Sequence, residues 1–513
     1  MTGLPPTASS VVAATRLYLE WTLTGWRRSI SLVDRAEIQS KAFRYHPAMW
    51  SPQSSFVDAE PAVYWTSQPR SVPIQPQLHI DTSADLVIIG GGFTGLWAAI
   101  EARLRDPARE VVLLDMEQIA FGATGRNGGF LEPSLTHGLE NGLARYPVDE
   151  MRTLLRLGNE NYAQIADFIR ANHIDCDLQE HGVIWAATAP YLAEAIPEIV
   201  ALHQEWGQDT IPLSADDLRA EVNSPVYYGG VWSRGEGGLV DPARLAWGLL
   251  GVALELGVRV HERTRVTSLV DAGARVAVQT TGGSILARKV LHATSAYPGV
   301  IAEIRRYVVP VYDYVLMSEP LTEAQRAAIG WRTRFGLADG DNQFVYSRMT
   351  ADNRILYGGW DAVFHRKGVD PSFDQRDASH QFLAERFFRT FPQLEGLRFT
   401  HRWGGAIDTC SRFAVFFNTT HGGKVAYAAG YTGLGVGASR FGARTVLDLV
   451  DGLQTERTEL RLTKKRPVPF PPEPLRSAVI TFTQREIARA DRNQGKRGLW
   501  LRTLDRLGLG FDS

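Results

Sequence analysis

The residues Asp85-Leu-Val-Ile-Ile89 run without polar alternation into three glycines, which is the pattern of a strand covered on both faces in a parallel sheet. Helical text follows from Thr94 to about Arg105, and Val111-Val-Leu-Leu-Asp115 repeats the strand pattern. The segment therefore predicts β-α-β within about 30 residues. Helices and short strands without an obvious catalytic motif fill Val148 to Gly230. At Asp241 a new helix is predicted: Asp241 is its N-cap, Pro242 its first residue, Leu256 its end, and Gly257 its C′ residue. Arg288 to Thr294 reads as a further parallel strand, whereas Val308 to Met317 and Phe344 to Gly359 alternate as antiparallel strands do.

The flanks differ from this text. Residues 1–83 read as an N-terminal extension, helical from Val11 to Ile30 and then rich in proline and aromatic residues through Pro76. Trp21, Trp26, Arg27 and Arg28 would suit a membrane surface, but a helix packed on the protein with its basic end in solvent explains them equally. Membrane contact is not the expectation. From Pro467 to Ser513 the chain reads as a proline-rich linker and a basic helical tail.

At 513 residues the chain exceeds one ordinary core, so two packed domains are expected, with room to bury a large cofactor. Its 55 basic and 56 acidic side chains nearly cancel, which gives no reason to expect a nucleic-acid partner. Cys176 and Cys410 are the only cysteines and lack metal-ligand spacing, so neither a disulfide framework nor a metal site is predicted. The cysteine usage, with no secretory signal and no long apolar run, leads us to expect a soluble cytoplasmic protein. Oligomeric state is not legible.

The candidate chemistry begins at Gly90-Gly-Gly-Phe-Thr-Gly95, a GxGxxG placed directly after a strand and opening a helix. Gly90 permits the turn, Gly92 lets backbone approach a pyrophosphate, and Gly95 lets helix and strand pack closely. Phe93 and Thr94 stand at the helix N-terminus, and Asp115, followed by Met116, ends the second strand where an acid accepts hydrogen bonds from the adenosine ribose. Two more glycine-rich stretches, Phe121 to Gly129 and Ala428 to Gly437, favour FAD over NAD. They let backbone lie against a flat ring, and a helix N-terminus near Gly435 can stabilise negative charge there.

These motifs, with Leu239-Val-Asp-Pro242, Glu262-Arg-Thr-Arg-Val266, Ala293-Thr-Ser-Ala-Tyr297 and Ala429-Gly-Tyr-Thr-Gly433, resemble the FAD-dependent oxidoreductases of the D-amino acid oxidase family, in the γ-glutamylputrescine oxidase-like branch, over about Asp85 to Leu449. The resemblance implies an α/β fold, α+β overall, in which a Rossmann-like FAD-binding domain (84–147, 231–300 and 400–455) is interleaved with an antiparallel-sheet substrate domain (148–230 and 301–399). Residues 456–513 form the C-terminal linker and tail. It also implies FAD contacts at Val266 on the adenine side; at Ala123, Thr124, Arg126, Asn127, Gly128, Gly129, Ala293 and Thr294 near the ribityl chain and ring; and at Gly430, Tyr431, Thr432, Gly433, Leu434, Gly435 and Val436 along the pyrimidine edge.

In that family the flavin takes a hydride from the carbon bearing the amine, so the protein need only position that bond and keep the nitrogen neutral. The catalytic candidates are Tyr312 and Tyr314, which alternate around Asp313 on one strand, Trp403, and Asp408; His137 is read as an ordinary loop histidine. Relatives that oxidise amino acids clamp the carboxylate with an arginine in a Gly-x-Arg-Pro text. Here the corresponding stretch is Gly405-Ala-Ile-Asp408, which favours a cationic amine unless Arg348 or Arg440 supplies the clamp. Leu356 stands where oxidases resembling sarcosine oxidase use a lysine, so the acceptor is oxygen or another oxidant. Cys410 is the residue to consider for covalent attachment, and non-covalent FAD is expected. The resulting expectation is oxidation of a C–N bond in a small amine, with an amino acid oxidase or a flavoprotein subunit of a larger complex as alternatives.

Overall fold

The computed structural model of the chain describes residues 51–297 and 299–509, so the helical stretch expected from Val11 to Ile30 lies outside the described residues. Leu86, Val87 and Ile88 are wholly buried at the centre of β1 (Thr82–Ile89), as an unalternated apolar run requires. The chain turns at Gly90 into α1 (Phe93–Arg105) and returns as β2 (Val111–Leu114), which pairs in parallel with β1, Leu86 opposite Val111. The helix α2 (Pro242–Glu255) starts as its text predicts, with the Asp241 carboxylate accepting the Arg244 N–H at 3.0 Å, and stops where Gly257 takes φ +80°. β3 (Ser284–His292) lies parallel to β1 on its other side. Val425–Ala429 and Arg259–His261 extend the parallel core of this sheet outward. The helix α3 (Gly435–Asp451) packs beside α1.

A second eight-stranded sheet stands over the first. It contains β4 (Val308–Ser318), β5 (Val345–Met349), β6 (Ile355–Phe364) and β7 (Phe399–Cys410), with Gly336–Asp339, Val183–Ala186, Gly229–Ser233 and Thr210–Ser214 completing it. All its pairs are antiparallel except Gly336–Asp339 with Val183–Ala186. Two expected boundaries move. Gly229–Ser233 and β7 belong to this sheet rather than to the FAD-binding part, because β7 is laddered along β4 and Gly229–Ser233 lies between Val183–Ala186 and Thr210–Ser214. Strand text carries a period but not the identity of its partner, which is why 231 and 400 misplace these edges.

The segment before β1 is also more than an appendage. Trp65 is buried and its indole N–H donates to the Asn127 carbonyl at 2.9 Å. Arg70 makes a two-pronged pair with the fully buried Glu262 (2.9 and 2.8 Å), whose carboxylate also accepts the N–H groups of Gln75 and Ile119, each at 2.6 Å. Replacing Glu262 by Ala leaves a largely buried guanidinium and two N–H groups without this partner. The expected loss is about 3–5 kcal/mol of stability, read as a lower urea midpoint at unchanged slope.

The C-terminal residues are helical as expected, in α4 (Leu475–Arg492) and α5 (Leu499–Arg506). Among the described residues no helix is long and apolar enough to cross a membrane, and no cluster of His, Cys, Asp and Glu is arranged to hold a metal.

Candidate active site

A cavity of ≈ 1840 Å³ runs between the carboxyl ends of the parallel strands and the second sheet. Pockets for a single drug-sized ligand span about 300–1,000 Å³, so this one can hold a dinucleotide and a substrate together. Its inner end is built by the first glycine motif. Gly90 adopts φ +107°, and a Cβ there would sit 2.4 Å from the Ala293 carbonyl oxygen. Beside it the N-terminus of α1 opens on the cavity at Gly92, Phe93 and Thr94, and the Phe93 N–H donates to the Thr124 hydroxyl at 3.0 Å. Gly95 lies behind the wall: a Cβ there would come within 1.9 Å of the Gly90 carbonyl oxygen, so this glycine serves the packing of helix on loop.

Asp115 and Met116 line the same end, with Val266, Ala293 and Thr294. The Asp115 carboxylate accepts the N–H groups of Gly91 (2.7 Å) and Glu117 (2.8 Å); burial pushes its pKa up to about 6 and those N–H groups pull it down. It organises the glycine loop as well as facing the cavity. Farther along, Ala123, Thr124, Arg126, Asn127 and Gly128 form one flank, and Tyr431, Thr432, Gly433, Leu434, Gly435 and Val436 the other. Thr94 and Tyr431, distant in sequence, join the two glycine regions through a 2.9 Å hydroxyl contact. Gly129 and Gly430 support these flanks from behind, Gly129 against the Val240 carbonyl and Gly430 against Cys410.

Gly435 has no heavy atom within 4 Å of where its Cβ would lie, and at Gly433 the nearest is a His137 ring carbon at 3.8 Å, and both are on the cavity wall. These positions leave room for a flat ring at the N-terminus of α3, where N–H groups lack partners within the helix. The residues present therefore fit FAD. The Cys410 thiol is buried and lies toward the carbonyls of Ala414 and Gly430 rather than on the cavity wall.

The roof corrects the expected catalytic set. On β4 the residues that face the cavity are Val309, Val311, Asp313 and Val315. Tyr312 and Tyr314 point the other way into the core, where the Tyr312 hydroxyl donates to the Asp370 carbonyl (3.2 Å) and the Tyr314 hydroxyl to that of Phe373 (2.9 Å). The strand alternates as expected but in the opposite phase, because both of its faces are apolar. Trp403 is likewise buried behind the wall, its indole N–H donating to the Arg126 carbonyl at 2.9 Å. Asp408 does reach the cavity, yet its carboxylate is engaged with the last glycine loop and accepts the Gly430 N–H at 2.7 Å. Burial pushes Asp408 up to about 6 against the pull of the Gly430, Tyr431 and Thr432 N–H groups.

Neither proposed substitute for the arginine clamp enters the cavity. Arg348 is fully buried against the carbonyls of Gly128 and Val240, and Arg440 pairs with Glu101 at 2.7 Å. Leu356 is buried in β6, and no lysine lines the cavity among the described residues.

Two residues that sequence reasoning passed over stand together in the roof. The Tyr346 hydroxyl donates to Asp313 at 2.6 Å, and the other Asp313 oxygen accepts the Tyr314 N–H at 2.8 Å. The Tyr346 ring is gripped between Gly128 and Gly358, where a Cβ at either would come within 2.7 Å of it. Asp313 is thus an acid on an otherwise valine face, held by Tyr346, whose ring packs on Gly128. That lone acid in an apolar stripe was the available signal. His137 also has a defined place: its Nε2–H donates to the Thr432 carbonyl, and burial pushes its pKa down to about 4, so it is a neutral tether for the glycine loop.

Comparison with known proteins agrees with this geometry. A family model described as FAD dependent oxidoreductase, DAO, matches residues 85–449. The chain is 30% identical over 379 residues to the γ-glutamylputrescine oxidoreductase of Escherichia coli, covering 73% of this chain and 85% of that protein. In fold it is similar to iminodiacetate oxidase from a Chelativorans species (TM-score 0.61, 18% identity, 74% of this chain and 98% of that one). It is also similar to glycine oxidase from Geobacillus kaustophilus (TM-score 0.58, 20% identity, 74% and 96%).

Proposed function

The chain belongs to the DAO family of FAD-dependent oxidoreductases, and from that premise we propose that it oxidises the C–N bond of a small cationic amine. One observation carries the reading: the Asp313 carboxylate, hydrogen-bonded to Tyr346, is the single acid on the valine face that roofs the cavity beside Gly128. A carboxylate on the cavity wall favours a positively charged partner, since an ammonium offsets the cost of its own burial only against an opposite charge. An α-amino acid would bring a second carboxylate toward that acid and be disfavoured by like-charge repulsion.

When bound, FAD accepts a hydride from the carbon that bears the nitrogen. The work left to the chain is positional and protic. Asp313 attracts the ammonium, takes one of its protons and leaves a neutral nitrogen whose lone pair can form the C=N bond as the hydride departs. Tyr346 keeps the carboxylate pointed into the cavity, and the valines around it keep water from competing for the amine. The imine product hydrolyses to a carbonyl compound and an amine or ammonia, and the electrons pass to oxygen or another acceptor. The E. coli γ-glutamylputrescine oxidoreductase supports an amine as the substrate class.

The test is an anaerobic titration of the FAD-loaded protein with polyamines, N-methylated amines and α-amino acids, following the flavin band near about 450 nm. Bleaching by one or more amines is the expected result. Bleaching by α-amino acids alone would replace the proposal with an amino acid oxidase, and a flavin that no amine or amino acid reduces would overturn it in favour of a subunit whose partner supplies the substrate.

A further inference from the structure

We propose that the C-terminal segment 467–509 forms the outer wall of the substrate chamber and selects amines by the bulk they carry beyond the reacting nitrogen. The proposal rests on the amine-oxidation reading for its substrate, but not for the existence of the wall. The family match ends at residue 449, so this wall lies beyond the part of the chain that the family model describes.

Along α4, Val479, Ile480, Thr483 and Ile487 line the cavity at helical spacing, with Gln484 and the cationic Arg485 also on the wall. The segment is tied to the rim rather than sunk into the core, since Ala490 is the one buried residue of α4. Its main latch is Asp491, whose carboxylate accepts the N–H groups of Asn342 (3.2 Å) and Gln343 (3.0 Å) and the Asn342 side-chain amide (2.5 Å). Asn342 and Gln343 themselves line the cavity, on the turn that leads into β5 and Tyr346. The Gln484 amide donates to the Ala362 carbonyl on β6. Before the helix, the Phe470 N–H donates to the Arg306 carbonyl at 2.8 Å and the Ser411 hydroxyl to that of Val468 at 2.7 Å.

A helix with little buried surface, held by polar contacts at its edges, belongs to the low-stability end of a structure and opens at modest cost. Its position then has a consequence for selectivity. Asp313 and this face of α4 line the same cavity, so an amine bulky enough to extend across it meets α4, and a close-fitting wall discriminates by roughly tenfold or more for each badly fitting group.

Asp491→Ala in the full-length, FAD-loaded protein releases the latch while Asp313, Tyr346 and the residues on the FAD side of the cavity stay unsubstituted. Three measurements are made on it: amide hydrogen exchange across 475–492, iodide quenching of flavin fluorescence, and kcat/KM for a bulky relative to a short amine. Faster exchange, stronger quenching and a bulky-to-short ratio raised about tenfold are expected. Exchange and quenching at wild-type values would overturn the wall, and a ratio unmoved despite faster exchange would overturn its role in selection. As a second variant, Ile487→Trp narrows the chamber from the same face and should lower the ratio; an unchanged or raised ratio with the helix protected as in wild type would also overturn selection. Exchange and quenching need no amine. If they rise in Asp491→Ala while no amine reduces the wild-type flavin, the wall stands as a cap on the flavin site and it is the amine reading that fails.

Discussion

Protein carrying Gly95→Ala is expected to purify with little or no bound flavin. The added methyl group would lie 1.9 Å from the Gly90 carbonyl oxygen and 3.3 Å from Ile88, so either α1 moves off β1 or the Gly90-Gly91-Gly92 turn shifts. The obstruction is backbone, which a rotamer change cannot relieve. Overpacking of this kind costs about 1–3 kcal/mol, and because the displaced turn is the cofactor cradle the cost falls on FAD affinity, a loss of roughly 10- to 100-fold. The absorption near about 450 nm should be weak after gel filtration and return only at high added FAD. Gly251→Ala is the matched control, since that glycine lies within α2 and its Cβ would meet nothing nearer than Val72 at 3.7 Å. It should keep its flavin and gain slightly in stability, as alanine does over glycine in a helix. Full flavin occupancy in Gly95→Ala would show that the first turn of α1 is not where the pyrophosphate is held.

The second large effect is expected at Asp313. Asp313→Asn keeps the shape of the side chain and can still hydrogen-bond Tyr346, but it removes the charge that attracts an ammonium and the base that takes its proton. Positioned general bases contribute about 10²–10⁴-fold, so kcat/KM for the best amine should fall by at least about 10²-fold while the visible spectrum and FAD content stay as in the unmodified protein. Tyr346→Phe leaves the carboxylate and the ring wedged between Gly128 and Gly358, and should cost less. An Asp313→Asn protein with near-normal kcat/KM would remove the carboxylate from the chemistry and reopen Asp408 as the acid that meets the substrate.

The candidate cofactor residues read from the sequence lie on the cavity wall, apart from Gly95, Gly129 and Gly430 just behind it, whereas three of the four catalytic candidates do not serve as expected. The difference has a physical origin. A dinucleotide cradle is a local object: the turn, the helix N-terminus and the acid at the end of the next strand are all specified within one β-α-β unit, so residue type and spacing carry the information. A substrate roof is made of strands brought together by ladders between β4, β5, β6 and β7, and the contacts that decide which face of β4 is wet or dry come from residues as far off as Asp370 and Phe373.

From the sequence alone came the parallel strands, α1 and α2 with their caps, the glycine cradle and the FAD preference, because each rests on short-range periodicity, turn chemistry or motif order; the interleaving of two parts came from the family resemblance. Tertiary structure alone decided the phase of β4, and so that Asp313 and Tyr346, not Tyr312 and Tyr314, line the cavity. It decided the sheet to which β7 and Gly229–Ser233 belong, the use of Asp408 and His137 to hold a loop, and the welding of residues 56–79 to the body through Trp65, Arg70 and Glu262. It also turned a basic helical tail into a wall of the cavity. A strand with two apolar faces, or a helix whose partner is far away in sequence, has no local signal of what it will pack against; only the closed fold supplies the other surface.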